Sequence, residues 1–167
     1  VRQIEGINLS LLNKSKGMSE KVFSVDKAED SSGFLLWQVT TLWQRGLKAE
    51  LEKVNLTHAQ FVLLASLMWL SNNEEGVMQI ALSNHSKIDP MTTSTVLRTL
   101  QTKGFVKRQE HPKDTRAKVV ACTTAGIKVA KQAIRIVETF DRKFFSVMGP
   151  KQSELNRSFE KLIEGNQ

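Results

Sequence analysis

Residues 88–126 read IDPMTTSTVLRTLQTKGFVKRQEHPKDTRAKVVACTTAG: a hard helix start, a glycine stop and a basic hairpin in immediate succession. Asp89 suits an N-cap, because its carboxylate accepts a bond from an orphan first-turn amide, and Pro90 at N1 sits where no donor is missed. The helix predicted over 90–103 turns Val96, Leu97 and Leu100 inward. It leaves Thr92, Thr93, Ser94, Thr95 and Arg98 as a polar, hydrogen-bonding face over its first two turns. Gly104 ends it, since glycine enters the left-handed region without steric cost. Residues 105–109 and 117–122 are then two short strand-like runs. The seven-residue connection Glu-His-Pro-Lys-Asp-Thr-Arg between them is too long for a two-residue turn, and it is basic near its tip.

Charge singles out the same segment. Residues 98–118 hold Arg98, Lys103, Lys107, Arg108, Lys113, Arg116 and Lys118 against Glu110 and Asp114, a balance of +5 in a chain whose whole net charge is +7. Residues 1–17 supply the other +2, so the remainder is neutral. A one-signed segment in a neutral domain creates a local field that polyanions follow, and phosphate is the default partner. The competing reading, a lysine-rich loop that is merely solvated, loses ground once helix and hairpin are taken together.

The remaining pattern is helical. Over 31–54 a stripe of Leu36, Val39, Trp43, Leu47 and Leu51, widened by Phe34 and Trp37, predicts a long helix buried on more than one side. Thr57 and Gln60 form a capping-box pair before a helix whose expected inner face is Phe61, Leu64, Ala65, Met68 and Trp69, ending near Asn72 and Asn73. A short segment over 77–85 offers Ile80, Ala81 and Leu82 for packing. Thr124 is read as the cap of a long helix with Ile127, Ala130, Ala133, Ile134, Val137, Phe140, Phe144 and Val147 at near-heptad spacing. Gly149 and Pro150 break it, and 153–163 supplies a last helix through Leu155, Phe159 and Leu162. The fold class is therefore mainly α with a small β-wing.

The length suits one domain over 31–167, with a central lobe at about 57–122 and flanking helices at about 31–54 and 124–164. Residues 1–30 read as a leader or N-terminal arm, artificial or processed as far as residue 17, since a Met-Ser-Glu-Lys start follows at Met18. No apolar run reaches the roughly 18 residues of a membrane span. The lone Cys122 allows no internal disulfide, which suits a reducing compartment, and the cytoplasm is the expected location.

Two helices joined by a short turn, the second led by small polar residues, then a basic hairpin: this is the layout of a winged helix-turn-helix. Its second helix enters the major groove of double-stranded DNA, where threonine hydroxyls and methyls meet base edges and Arg98 reaches guanine or a phosphate. Arg116 near the hairpin tip can enter a minor groove, with Asp114 orienting it, or the two can form a surface ion pair.

Four motifs in order resemble the MarR family of transcription regulators: Leu56-Thr57-x-x-Gln60-Phe61, the run from Leu100 to Val106, Asp114-Thr115-Arg116, and Thr123-Thr124-Ala125-Gly126. The resemblance covers about 34–163. It implies a homodimer in which the first helix and the last two pack between subunits, with wings flanking a pseudo-palindromic operator. It implies Arg116 as the minor-groove arginine with Asp114 as its positioner, and places Thr92, Thr93, Ser94, Thr95 and Arg98 on the DNA-reading helix. Lys107, Arg108, Lys113 and Lys118 complete the expected contact set. Ala130, Ala133, Val137, Phe140, Phe144, Leu155 and Phe159 are the expected dimer interface. Family members often hold small aromatic acids, for which Trp37, Thr41, His58 and Phe61 are the candidate lining here, against a bland reading as core packing.

No cysteine lies in the first helix, which sets aside a peroxide-sensing mode, and Cys122 reads as packed rather than reactive. His58, His85 and His111 form no i, i+4 pair, so neither metal nor cofactor is expected. No glycine-rich phosphate loop, carboxylate cluster or nucleophile elbow suggests an enzyme. The expected function is a sequence-specific DNA-binding regulator, a repressor relieved by a small aromatic ligand. The competing function is a winged-helix protein-interaction module whose basic wing meets an acidic partner.

Overall fold

The computed structural model describes residues 22–71, 76–111 and 114–166, with the backbone alone at 114–116. Residues 1–17, Asn72, Asn73 and Lys113, which carried expectations, lie outside the described residues. Among the described residues, six α-helices and three strands follow a short 3-10 turn at Ala28–Asp30: α1 (Ser32–Glu52), α2 (His58–Leu70), β1 (Val77–Met78), α3 (Gln79–Ser86), α4 (Pro90–Thr102), β2 (Val106–His111), β3 (Asp114–Cys122), α5 (Thr124–Phe145) and α6 (Gln152–Glu164). The protein is mainly helical with a small antiparallel sheet, as expected. The chain divides into two compact units between Thr40 and Thr41, inside α1.

In the first unit, the start of α1 is exposed: Phe34 and Leu35 at 40%, Leu36 at 53%, Trp37 at 64% and Val39 at 42%. The expectation of a helix buried on more than one side therefore fails over this half of α1 within one chain. In the second unit, Leu47 and Leu51 of the same helix are completely buried.

Helix α2 is the hub of the second unit, touching α3, α4, α5 and β3. Its sequence HAQFVLLASLMWL is apolar nearly all round, and such a helix is buried on several faces rather than along one stripe. Hence Leu63, Leu64 and Leu67 are fully enclosed, while Trp69, expected inside, is 73% exposed. The capping box at its start is complete: Thr57 Oγ1 accepts from the Gln60 amide at 3.3 Å, and Gln60 Oε1 accepts from the Thr57 amide at 3.2 Å.

The sheet order is β1-β3-β2, both pairings antiparallel. Strand β1, invisible as a two-residue signal in the sequence, pairs Val77 with Val120 and Met78 with Val119. Strands β2 and β3 pair from Val106 opposite Cys122 to Glu110 opposite Lys118, and the register then shifts so that His111 faces Asp114. The strands thus extend into residues read from sequence as the connection.

At the other end of the hairpin, the cap of α5 is Thr123, one residue earlier than expected. Its Oγ1 accepts from the Gly126 amide at 3.0 Å and donates to the Gly104 carbonyl at 2.7 Å. The expected break after α5 is present, as a 3-10 segment at Ser146–Lys151 with Gly149 at φ +52°.

Candidate nucleic-acid interface

The turn between α3 and α4 is fixed by local chemistry. Lys87 caps α3 in the left-handed region at φ +56°. The next carbonyl, that of Ile88, accepts from Ser83 Oγ at 2.6 Å and from Thr93 Oγ1 at 3.2 Å. Asp89 Oδ1 then caps α4 by accepting from the Thr92 amide at 2.9 Å, and hydrogen bonding to the Thr92 side chain, with that amide bond next, holds its carboxyl below the usual range. Helix α4 ends in a double closure, Phe105 N to Leu100 O and Gly104 N to Gln101 O, both 2.9 Å, with Gly104 at φ +74°.

Thr93 is completely buried, and its hydroxyl is spent on the turn. This corrects its place in the contact set. It falls on the inward row with Leu97 and Leu100, at i, i+4 and i+7, so it cannot meet a base edge. The outward row at that spacing is Met91, Thr95 and Arg98, all exposed, with Thr92 beside it. Sequence reasoning missed Met91, although it stands on this period and is 80% exposed.

The basic residues divide by what they do. Lys103 ties the end of α4 to the start of α2, donating to the Asn55 carbonyl at 2.7 Å and to Gln60 Oε1 at 3.0 Å. Lys118 pairs with Glu110 across the wing at 2.8 Å, which lowers the Glu110 pKa. Lys107 is exposed, whereas Arg108 is half-buried and donates through Nη2 to Gln79 Oε1 at 2.7 Å. Ser94 Oγ lies 3.4 Å from Nη2 of both Arg98 and Arg108. Gln79, also missed from sequence, therefore links α3 to the wing strand. The Asp114 and Arg116 side chains and all of Lys113 lie outside the described part, and only the β3 backbone places the first two at the far end of the wing.

The expected dimer residues also divide. Ala130, Ala133 and Val137 are 1%, 0% and 6% exposed in the single chain, so they belong to the protomer's own core, which α2 and α5 share. Phe140 and Phe144 are half-buried with ring centroids 5.8 Å apart. Leu155 and Phe159 are half-buried on α6, a helix with no buried residue.

Of the expected ligand lining, Trp37 stacks on Phe34 at 6.3 Å in the first unit. In the second unit Thr41, His58 and Phe61 are half-buried. His58 meets the edge of Trp43 at 5.0 Å, and Trp43 Nε1 donates to Asp141 Oδ1 at 2.8 Å. Burial lowers the His58 pKa, with Asp141 opposing that shift. Burial also pushes the Cys122 thiol up to about 11, which suits a packed, unreactive sulfur.

A helix-turn-helix whose second helix is flanked by an antiparallel hairpin is the architecture of winged-helix regulators. Residues 52–139 match the family described as ArnR1-like, winged-helix domain. The chain is 40% identical over 126 residues to the uncharacterized HTH-type transcriptional regulator YdcH of Bacillus subtilis, covering 75% of this chain and 86% of that one. It is 30% identical over 131 residues to the HTH-type transcriptional repressor Rv2887 of Mycobacterium tuberculosis, covering 78% and 91%. Solved structures share the fold, two of them as follows. A mutant MarR of E. coli complexed with operator DNA is 23% identical with a TM-score of 0.69, covering 78% of this chain and 91% of that one. CouR of Rhodococcus jostii bound to p-coumaroyl-CoA is 23% identical with a TM-score of 0.71, covering 83% and 93%. The chain belongs to the MarR family of winged-helix transcriptional regulators. Its relatives and its fold are those of regulators, not enzymes.

Proposed function

We propose that this regulator is a homodimeric, sequence-specific repressor that binds a pseudo-palindromic operator in the cytoplasm and is released by a small aromatic acid. The observation that carries the DNA-binding part is the outward row Met91, Thr95 and Arg98 of α4, standing beside a wing whose segment has a balance of +5. The contact set is Met91, Thr92, Ser94, Thr95 and Arg98 for the major groove, with Lys107, Arg108, Lys113, Asp114, Arg116 and Lys118 on the wing. Thr92 and Thr95 supply hydroxyls and methyls to base edges, and Arg116 supplies a guanidinium to the minor groove.

Dimerisation is supported by apolar surface that one chain leaves open, on the first half of α1 and on α6. The domain reading follows: a DNA-binding lobe over 57–122, with helices at 31–54 and 124–164 serving assembly. Among the described residues no helix is long and apolar enough to cross a membrane. Repression is supported by the name of the Rv2887 relative, and an aromatic effector by the ligand of CouR. Ligand and operator preferring different states of one dimer would oppose each other reciprocally, by a coupling of about 1–3 kcal/mol.

Selection of bound fragments from the source genome with purified protein tests the proposal. The expected result is a palindrome recovered with strong preference over random fragments, and released as salicylate is raised to millimolar levels. Fragments recovered without shared sequence would overturn the operator reading, and binding that salicylate leaves unchanged would overturn the effector reading.

A further inference from the structure

Between the start of α3, the outer side of α4 and strand β2 lies a cleft of about 480 Å³, lined by Gln79, Ser94, Arg98, Gln101, Arg108 and Lys118 among others. Its charge is uncompensated. Lys118 is occupied by Glu110, also in the lining, at 2.8 Å. Among the described residues neither Arg98 nor Arg108 is paired with a carboxylate. The two guanidinia nevertheless sit close, sharing Ser94 Oγ at 3.4 Å each, and the Arg98 charge adds to burial in lowering the Arg108 pKa. Arg108 remains protonated all the same, because a guanidinium does not titrate in proteins. Two like charges held together in a half-enclosed cleft are unfavourable unless an anion lies between them.

A second observation points the same way. Arg108 Nε is buried and has no hydrogen-bond partner among the described residues. A buried N–H without a protein acceptor is unfavourable, so this one calls for an acceptor from outside the chain, solvent or a bound anion. Guanidinium presents donors in a rigid fork matched to phosphate oxygens, and a second guanidinium beside it supplies the rest of the shell. The neighbouring amides of Gln79 and Gln101 and the Ser94 hydroxyl are neutral and do not oppose an anion.

We propose that this cleft is a binding site for a phosphate-type oxyanion, clamped between Arg98 and Arg108, and that the operator backbone supplies that phosphate. The proposal rests on the DNA-binding reading for the source of the anion, but not for the site itself. Arg98 then serves the backbone rather than guanine, and the clamp seats the wing strand and α4 on one phosphate. That contact sets the depth at which Met91 and Thr95 enter the groove.

The test uses the full chain and the variants Arg98→Gln, Arg108→Gln and Arg108→Lys, in two arms. In the first, thermal unfolding is followed in inorganic phosphate and in chloride at matched ionic strength. A bound anion raises the wild-type midpoint, by linkage, and either glutamine variant abolishes the rise. In the second, affinity for the selected operator fragment is measured against salt. Each phosphate contact contributes about 0.9 to the slope of log affinity against log salt, so each glutamine variant should lower it by about 1.8 per dimer. Arg108→Lys keeps the charge without the fork, and should keep most of the slope while losing the phosphate-dependent midpoint shift. Arg98 is exposed, so Arg98→Gln decides the matter if Arg108→Gln fails to fold. Wild-type behaviour of Arg98→Gln in both arms would overturn the site. A midpoint shift with an unchanged slope would overturn the operator backbone as the source and assign the cleft to a free anion. Should the wild type show no operator selectivity, the regulator reading fails, while the phosphate arm still decides the cleft.

Discussion

Met91 and Thr93 stand two residues apart on α4 and face opposite ways, and that difference decides what each can do. A methionine side chain 80% exposed among threonines has an apolar end with nothing to cover it in the free protein. In a major groove the thymine methyl is the apolar feature it can meet. Replacing thymine by uracil at the contacted step, which removes only that methyl, should therefore weaken wild-type binding and leave Met91→Ala indifferent. Equal sensitivity of both proteins at every thymine would remove Met91 from the reading face. Thr93→Ala should lower stability by about 1 kcal/mol, since Ile88 O keeps its Ser83 donor, without altering base preference. His58 gives a pH dependence with a definite sign. Burial depresses its folded pKa below 6.5, so the unfolded chain takes up the proton more readily. The stability from keeping this ring neutral is present above pH 6.5 and is lost as pH falls from there through the lower folded value. Urea unfolding at pH 7.5 and 5.5 should show wild type losing more than His58→Gln, and parallel losses would discount this histidine.

Among the elements, the joint between wing and α5 is the most tightly built, because backbone meets backbone there. A Cβ on Gly126 would lie 1.8 Å from the Phe105 carbonyl oxygen, whereas one on Gly33 would meet nothing within 4 Å. Gly126→Ala should cost at or above ~3 kcal/mol, the upper range for overpacking, because a carbonyl cannot rotate aside as a side chain does. Gly33→Ala, in an exposed helix, should gain up to about 1 kcal/mol from helix propensity. Denaturant midpoints of the two variants check both, and comparable effects would mean that the joint relaxes. This joint also marks what the sequence disclosed. Caps and stops are local chemistry, and Thr57, Asp89, Gly104 and Gly149 all announced their elements. The α5 cap was read one residue late because Thr123 and Thr124 are chemically alike, and only the Gly104 and Gly126 partners separate them. Inner faces were less legible where they depend on distant partners. Helix α2 is apolar on every side, so no stripe identified Trp69 as exposed, and the two-residue β1 exists only because Val119 and Val120 are there to pair with it. Of the candidate interface, the exposure of Thr92 and Thr95 on α4 and the position of the hairpin after it were readable, whereas Thr93 was lost to the turn and Gln79 carried no signal before Arg108 was placed beside it.

At the scale of the whole molecule, the division of apolar surface between core and exterior determines which residues can report on assembly. Ala133 is fully buried in one chain, so Ala133→Asp places an unpaired charge in the protomer core and should abolish folding whatever the oligomeric state. Leu162 and Ile163 of α6 are 57% and 53% exposed, so aspartates there are tolerated by a single chain and penalised only where a second copy covers that helix. The double variant Leu162→Asp, Ile163→Asp should therefore be soluble, keep its helical circular dichroism and sediment as a monomer. Wild type should sediment as a dimer, with a melting temperature that rises with protein concentration. Operator affinity should fall sharply in that monomer, because two recognition helices one helical turn apart are needed to engage both half-sites. Affinity for a single half-site should change little, since α4 and the wing are untouched. A wild type that sediments at monomer mass at micromolar concentration would sink the dimer. A double variant that stays dimeric would place the seam elsewhere and leave the exposed first half of α1 as the surface to mutate next.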